Sequence, residues 1–155
     1  MSTDPAAPAD GALQLLRPRD PGAALGWAVS YLMTDPAFAR QPFGDWSRVL
    51  AGQVNRGHCV FVHDGRRLRG FAGWALTDDA GADAWLAGRT LDADAARQGP
   101  VVLVNALKFD GDAVRRRLLR ALRGLLPARR LVARRAYADG RWRAVDLRLR
   151  TRSAA

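Results

Sequence analysis

Few side chains in this chain of 155 residues titrate near neutral pH. The histidines are His58 and His63, and Cys59 is the single cysteine. His63 adjoins Asp64-Gly65 and reads as an exposed turn residue. His58 opens the run HCVFV and is a candidate catalytic base, because an imidazole beside a cleft is readily tuned across neutral pH. Cys59 reads as a buried, inert thiol, since a reactive one needs an electropositive and partly open setting. Asn105 interrupts VVLVNAL. Two readings stand for it: a structural amide with satisfied hydrogen bonds, or a group that orients substrate. An amide can donate or accept but cannot act as a base. Asp110 and Asp112 follow closely. A helix cap is the plain role for Asp112, and Asp110 is a candidate acid or base. No zinc-ligand set is visible, so no metal is expected.

The second chemical resource is charge. The formal net charge is +10, and apart from Lys108, the only lysine, the positive residues are arginines. Such a field attracts nucleic acid, anionic membrane or an acidic protein. No helix-turn-helix or aromatic stacking motif accompanies it, which puts nucleic acid last. No apolar run approaches the ~20 residues of a membrane span. The start, MSTDPAAPADGA, lacks the basic and apolar stretches of a secretory signal, so a cytoplasmic location is expected.

These residues need elements to position them. Residues 1–19, rich in Ala, Pro and Asp, read as a disordered tail, and 151–155 as a second one. The segment 20–150 is expected to be one domain. A helix begins at Asp20-Pro21, a cap followed by proline at the first helical position. Its apolar face is Leu25, Ala28, Val29, Leu32 and Met33. Asp35-Pro36 stops it, and a loop runs to Pro42. A second helix spans Phe43 to Arg56, with Trp46, Val49, Leu50 and Val54 inward and Gly57 as its stop. Two strands then flank a turn at Asp64-Gly65. A polar helical insertion covers residues 78–88, and VVLVNAL reads as a central strand. The turn KFDGD opens a helix that buries Val114, Leu118, Ala121, Leu122 and Leu125, with Arg116, Arg120 and Arg123 opposite. Pro127 ends it. Strands 130–138 and 141–150 close the chain, the last with Val145, Leu147 and Leu149 on one face and a wet face opposite. The five tryptophans are expected mostly in the core, with Trp27 or Trp46 as candidates to line a tunnel.

The strand–turn–helix step in mid-sheet, followed by further strands, matches the layout of the GNAT acyltransferase superfamily. The finer details resemble one branch. LGWAVSYLMTDPAFARQPF is similar to the opening of the RTX toxin-activating lysine acyltransferases, with Pro36 and Pro42 keeping the spacing of two family prolines. HCVFVHDGRRLRGFAGWALTDD resembles that family's hairpin, ending in the pair Trp74-Ala75. WLAGRTLDADAARQGPVVLVNALKFDGD is similar to its acidic segment, central strand and turn. RLVARRAYADGRWRAVDLRLR resembles its closing hairpin. The likeness runs from about Leu25 to Arg150.

The resemblance implies an α/β (α+β) GNAT-like fold, with a mostly antiparallel central sheet flanked by helices. It also implies a reaction: a fatty acyl group passes from acyl carrier protein, less so from acyl-coenzyme A, to a lysine or other amine of a protein or peptide. The acceptor would be an RTX-like toxin or a peptide natural product, and no cofactor would be held permanently. The family gives the chemistry to a His and an Asp, and here those positions read Phe38 and Asn105. Asn105 and His58 are therefore the candidate catalytic residues, about two strands or ~10 Å apart. Lys108, Gly111, Asp112, Arg115 and Arg116 are the candidate donor-binding residues at a helix N-terminus. The arginine face fits an acidic carrier protein or is an ordinary solvated face. A dimer is implied by the resemblance alone. Two further readings are a non-catalytic homologue that binds the carrier or the acceptor, and a nucleic-acid-binding protein.

Overall fold

The computed structural model describes residues 12–91, 98–126, 129–136, 139 and 141–148. Helix α1 (Pro21–Leu32) starts where the Asp20 carboxylate accepts the Gly22 N–H at 2.8 Å, with Pro21 in the first turn. Its buried face is Ala24, Ala28, Tyr31 and Leu32. This is rotated from the expected stripe, and Met33 is exposed. Small alanines let the helix approach the sheet closely, and Tyr31 is buried because its hydroxyl finds two acceptors. The expected loop after Asp35 contains a one-turn helix, α2 (Pro36–Ala39), capped by the Asp35 carboxylate. Phe38 lies in it and packs against the cluster beneath α1. Helix α3 (Phe43–Arg56) ends at Gly57, whose φ of 67° is the left-handed stop the sequence predicts. Val49 is exposed rather than inward, and Gln53 is buried in the apolar face.

Among the described residues, six strands form one sheet in chain order: β1 (Gln14–Leu16), β2 (Cys59–His63), β3 (Leu68–Thr77), β4 (Val101–Phe109), β5 (Arg130–Ala136) and β6 (Trp142–Arg148). β1 falls inside the segment expected to be a disordered tail and pairs with β2. A run of three residues is too short to show alternation against the surrounding Ala and Pro. Residues 1–11 and 149–155 lie outside the described residues, as does Pro127, the expected helix stop. Neighbouring strands are antiparallel except β4 and β5, which are parallel and joined through helix α5 (Asp112–Leu125). The fold is thus α+β with a mixed sheet, largely antiparallel as expected.

Helices cover both faces. On one, Val114, Leu118, Ala121 and Leu122 of α5 pack on Val60, Val62, Ala72, Trp74, Val102 and Val104. On the other, α1 and α3 cover Cys59, Phe61, Phe71 and Ala106. The helix α4 (Asp79–Leu86) covers Ala75, Val101, Leu103 and Val132 at the β5 end of that second face. β6 departs from expectation. Both of its faces are open, Leu147 is exposed, and only Val145 is partly covered. Among the described residues nothing packs over this edge strand except the β5 side chains and one ion-pair network. Trp74 is the one fully buried tryptophan, whereas Trp27 and Trp142 are exposed. Trp46 and Trp85 are partly buried against the core clusters, so the expectation of a mostly core role holds for three of the five.

Candidate active site

The parallel ladder between β4 and β5 is short. It pairs Val101 with Arg130 through Val104 with Ala133 and stops there. Beyond that couple the strands part, β4 continuing to Phe109 and β5 to Ala136. Asn105 is the first β4 residue past the last pair. It also stands at a register shift on the other side of β4: Gly73 pairs with Ala106 and Trp74 with Val104, so Asn105 has no β3 partner of its own. Such a bulge takes a residue out of the ladder and bends the strand. One position therefore combines the bend, a polar side chain and the end of the β4–β5 ladder.

Asn105 is held from below. The Gln53 amide nitrogen on α3 donates to its Oδ1. Gln53 is 1% exposed, and among the described residues its buried Oε1 finds no hydrogen-bond partner. Space for this amide comes from Gly73, where a Cβ would lie 2.2 Å from Gln53 Oε1. Gln53 was missed in the sequence. Its signal was a polar residue three after Leu50 and one before Val54, on the inward face.

His58 does not join Asn105. Its ring runs nearly parallel to the Trp74 indole, with centroids 6.0 Å apart, and Trp74 belongs to the α5 face. Asn105 meets Gln53 of α3 on the opposite face. β3 lies between β2 and β4, as the two-strand separation required, and the sheet divides the two side chains. Among the described residues, His58 Nδ1 is buried without a hydrogen-bond partner. Burial, with the Arg56, Arg17 and Arg129 charges, holds its pKa below that of an ordinary histidine. Folding therefore favours the neutral form, while the unfolded chain takes up a proton near pH 6.5. Stability is expected to fall as pH drops from about 7 toward 5, and thermal melts of His58→Gln should lose less over that window than the wild-type chain. Equal losses would show that His58 is not the titrating group. Cys59 is buried, and burial raises its thiol pKa, consistent with an inert role.

The expected donor-binding residues follow β4. Lys108 is already engaged. Its Nζ donates to the Tyr31 carbonyl at 3.1 Å and to the Thr34 hydroxyl of the turn after α1, and lies 3.9 Å from the Tyr31 ring centroid. The Tyr31 hydroxyl in turn donates to the Arg69 carbonyl at 2.6 Å and to Asp110 Oδ1 at 3.1 Å. Lys108 and Asp110 thus brace α1 against the sheet. Gly111, with φ 88°, is the N-cap of α5, and no side chain caps that helix. The plain reading of Asp112 as the cap is corrected: it lies within the first turn and pairs with Arg115 at 3.0 Å. Arg116 is exposed. The first N–H groups of α5 lack side-chain acceptors at the end of the sheet where β4 and β5 part, though the Asp112 carboxylate beside them opposes a phosphate.

On β5, Arg130 and Arg134 point to the face that carries α4. Arg130 donates to Asp146 through Nε at 2.9 Å and Nη2 at 2.6 Å, and also to Asp79 and Asp83. Arg134 lies over the Trp85 ring at 4.1 Å and 5.2 Å from the Trp142 ring. Neither arginine was singled out in the sequence, where one arginine looks like another. Trp46 is partly buried, edge-on to Phe43, and Trp27 is edge-on to Phe61. Among the described residues no group of three or more His, Cys, Asp or Glu could hold a metal ion, and no helix is long and apolar enough to cross a membrane.

No family model and no curated protein matches the chain. Among solved structures, an acetyltransferase of the GNAT family from Bacillus cereus is similar, with 10% sequence identity and a TM-score of 0.47, over 83% of this chain and 75% of that one.

Proposed function

We propose that this chain is an N-acyltransferase that seats its acyl donor where β4 and β5 part. The observation that carries this reading is the coincidence at Asn105 of the bulge, the end of the β4–β5 ladder and a fixed amide. A thioester carbonyl beside Asn105 would receive a hydrogen bond from the amide or from backbone N–H freed by the bulge, as charge develops on its oxygen. A neutral amine of the acceptor attacks that carbonyl. The C–N bond forms, the C–S bond breaks, and the amine proton leaves with the thiol or water. No basic side chain is assigned to that proton, so the amine must arrive neutral or lose its proton to solvent.

The donor we propose is a fatty acyl thioester on acyl carrier protein, with acyl-coenzyme A as the weaker alternative. The acceptor is a lysine or related amine of a toxin-like protein or a peptide. The sequence resemblance supports these choices, as do the exposed Arg116, Arg120 and Arg123 on α5, which suit an acidic carrier. Phe38 and Asn105, in place of the family His and Asp, favour one second reading: a homologue that binds carrier or acceptor without turnover.

Incubation with medium-chain acyl carrier protein or acyl-coenzyme A and lysine-bearing peptides, followed by mass spectrometry, tests both. The enzyme reading expects a mass increase of one acyl group, lowered on the order of 100-fold by Asn105→Ala. Tight carrier binding with no transfer at any chain length supports the second reading and removes the first.

A further inference from the structure

Arg130 and Arg134 sit four residues apart on β5 and turn to the same face, yet only one is satisfied. In Arg130 the side-on fork of Nε and Nη2 grips both oxygens of the Asp146 carboxylate. In Arg134 the same two atoms are buried and have no hydrogen-bond partner among the described residues. Two guanidinium nitrogens shielded from water and left without an acceptor are costly, and a carboxylate in the fork removes that cost. Burial already lowers the Arg134 pKa below the usual arginine value.

The surroundings are built for an organic acid. Trp85 on α4 and Trp142 on β6 offer two indole walls to the guanidinium. Trp142 is 50% exposed on the edge strand, so it is the wall open to solvent. Arg134 is the first β5 residue beyond the last β4–β5 pair, as Asn105 is on β4, and both turn to the face of α3 and α4. The fork therefore lies at the end of the β4–β5 ladder, next to the strand position of Asn105.

We infer that Arg134, between Trp85 and Trp142, is a binding site for a carboxylate with an apolar or aromatic body, entered by displacement of the Trp142 indole. The carboxylate takes the Nε–Nη2 fork in the manner of Asp146 on Arg130, and its body replaces or stacks on Trp142. The site is independent of the acyl-transfer reading, since it requires binding and no reaction.

Titration of the whole chain with phenylacetate, hexanoate, N-acetylphenylalanine and phenyl phosphate, followed by tryptophan fluorescence and calorimetry, tests it. We expect saturable binding of the carboxylates, no response to phenylacetamide, and at least tenfold weaker binding by Arg134→Met. Arg134→Lys, which keeps the charge and loses the fork, should also bind more weakly. Trp142→Phe should lose most of the optical signal while calorimetry still detects binding. Equal responses to acid and amide, unchanged binding by a folded Arg134→Met, or preference for the phosphate would overturn the assignment. Free acid and a peptide C-terminus are separated by comparing N-acetylphenylalanine with a tripeptide ending in phenylalanine.

Discussion

Gly99→Ala is expected to destabilise the fold by about 4 kcal/mol, combining backbone strain with an unrelievable overlap. Gly99 has φ 136°, a conformation closed to side chains, and a Cβ there would fall 2.1 Å from the Thr77 carbonyl oxygen. That oxygen belongs to the backbone at the end of β3, so it cannot rotate away. Gly99 also leads into β4, and its own carbonyl accepts from Arg129 Nη1 at 2.6 Å. Moving it would disturb the first β3–β4 pair, Thr77 with Val101. Thermal melts should show a drop of roughly 8–16 °C for a domain of this size. Gly88→Ala is the control. Its φ of 96° is similarly left-handed but a Cβ there meets nothing within 4 Å, so it should cost about 1 kcal/mol from conformation alone. Equal losses at the two sites would remove the Thr77 contact from the account.

Gly73→Ala should cost about 3 kcal/mol, for a different reason. Here the obstacle is a side chain, Gln53, with its Oε1 at 2.2 Å and its Cδ at 2.7 Å from the new Cβ. A free amide would swing aside, but Gln53 is buried and holds Asn105. Gln53→Ala alone should cost about 2 kcal/mol through lost packing and an unpaired Asn105 amide. Combined, the two changes relieve one another. The double variant should be about 2 kcal/mol more stable than the sum of the singles predicts. Urea unfolding of the four proteins gives the coupling directly, and simple additivity would mean that Gln53 is not confined. If the acyl-transfer reading holds, both single variants should also lower turnover, because each disturbs the residue under the proposed carbonyl site.

Local chemistry was legible in the sequence wherever it settles structure by itself. Asp20-Pro21 fixed the start of α1, Gly57 the end of α3, and Asp64-Gly65 the turn between β2 and β3, because caps and turns depend on neighbours in the chain. The alternation and spacing of Val101–Leu107 and of Val114–Leu122 marked β4 and α5 for the same reason. What was hidden depends on register and distance. The bulge at Asn105 exists only once β3 and β4 are aligned, and Gly73 opposite it looks like any strand glycine. Lys108 reads as a free cation until Tyr31, 77 residues away, is folded beneath it. His58 and Asn105 were rightly placed two strands apart, but sequence spacing did not reveal that they face opposite sides of the sheet. The empty fork of Arg134 has no sequence signature, since Arg130 beside it is of the same type and fully engaged.

The engaged state of Lys108 matters for a catalyst of amine acylation in a way that concerns the protein's own integrity. Any lysine on such an enzyme is a competing acceptor, present at every turnover. This chain carries one ε-amine, and that ammonium is spent on the Tyr31 carbonyl, the Thr34 hydroxyl and the Tyr31 ring. To be acylated it would have to abandon those contacts and shed a proton. The remaining positive charge rests on guanidinium groups, which do not deprotonate at physiological pH and make poor nucleophiles. On the acyl-transfer reading, the molecule would thus present a strongly cationic surface to the proposed acidic carrier while offering that reaction almost nothing to modify.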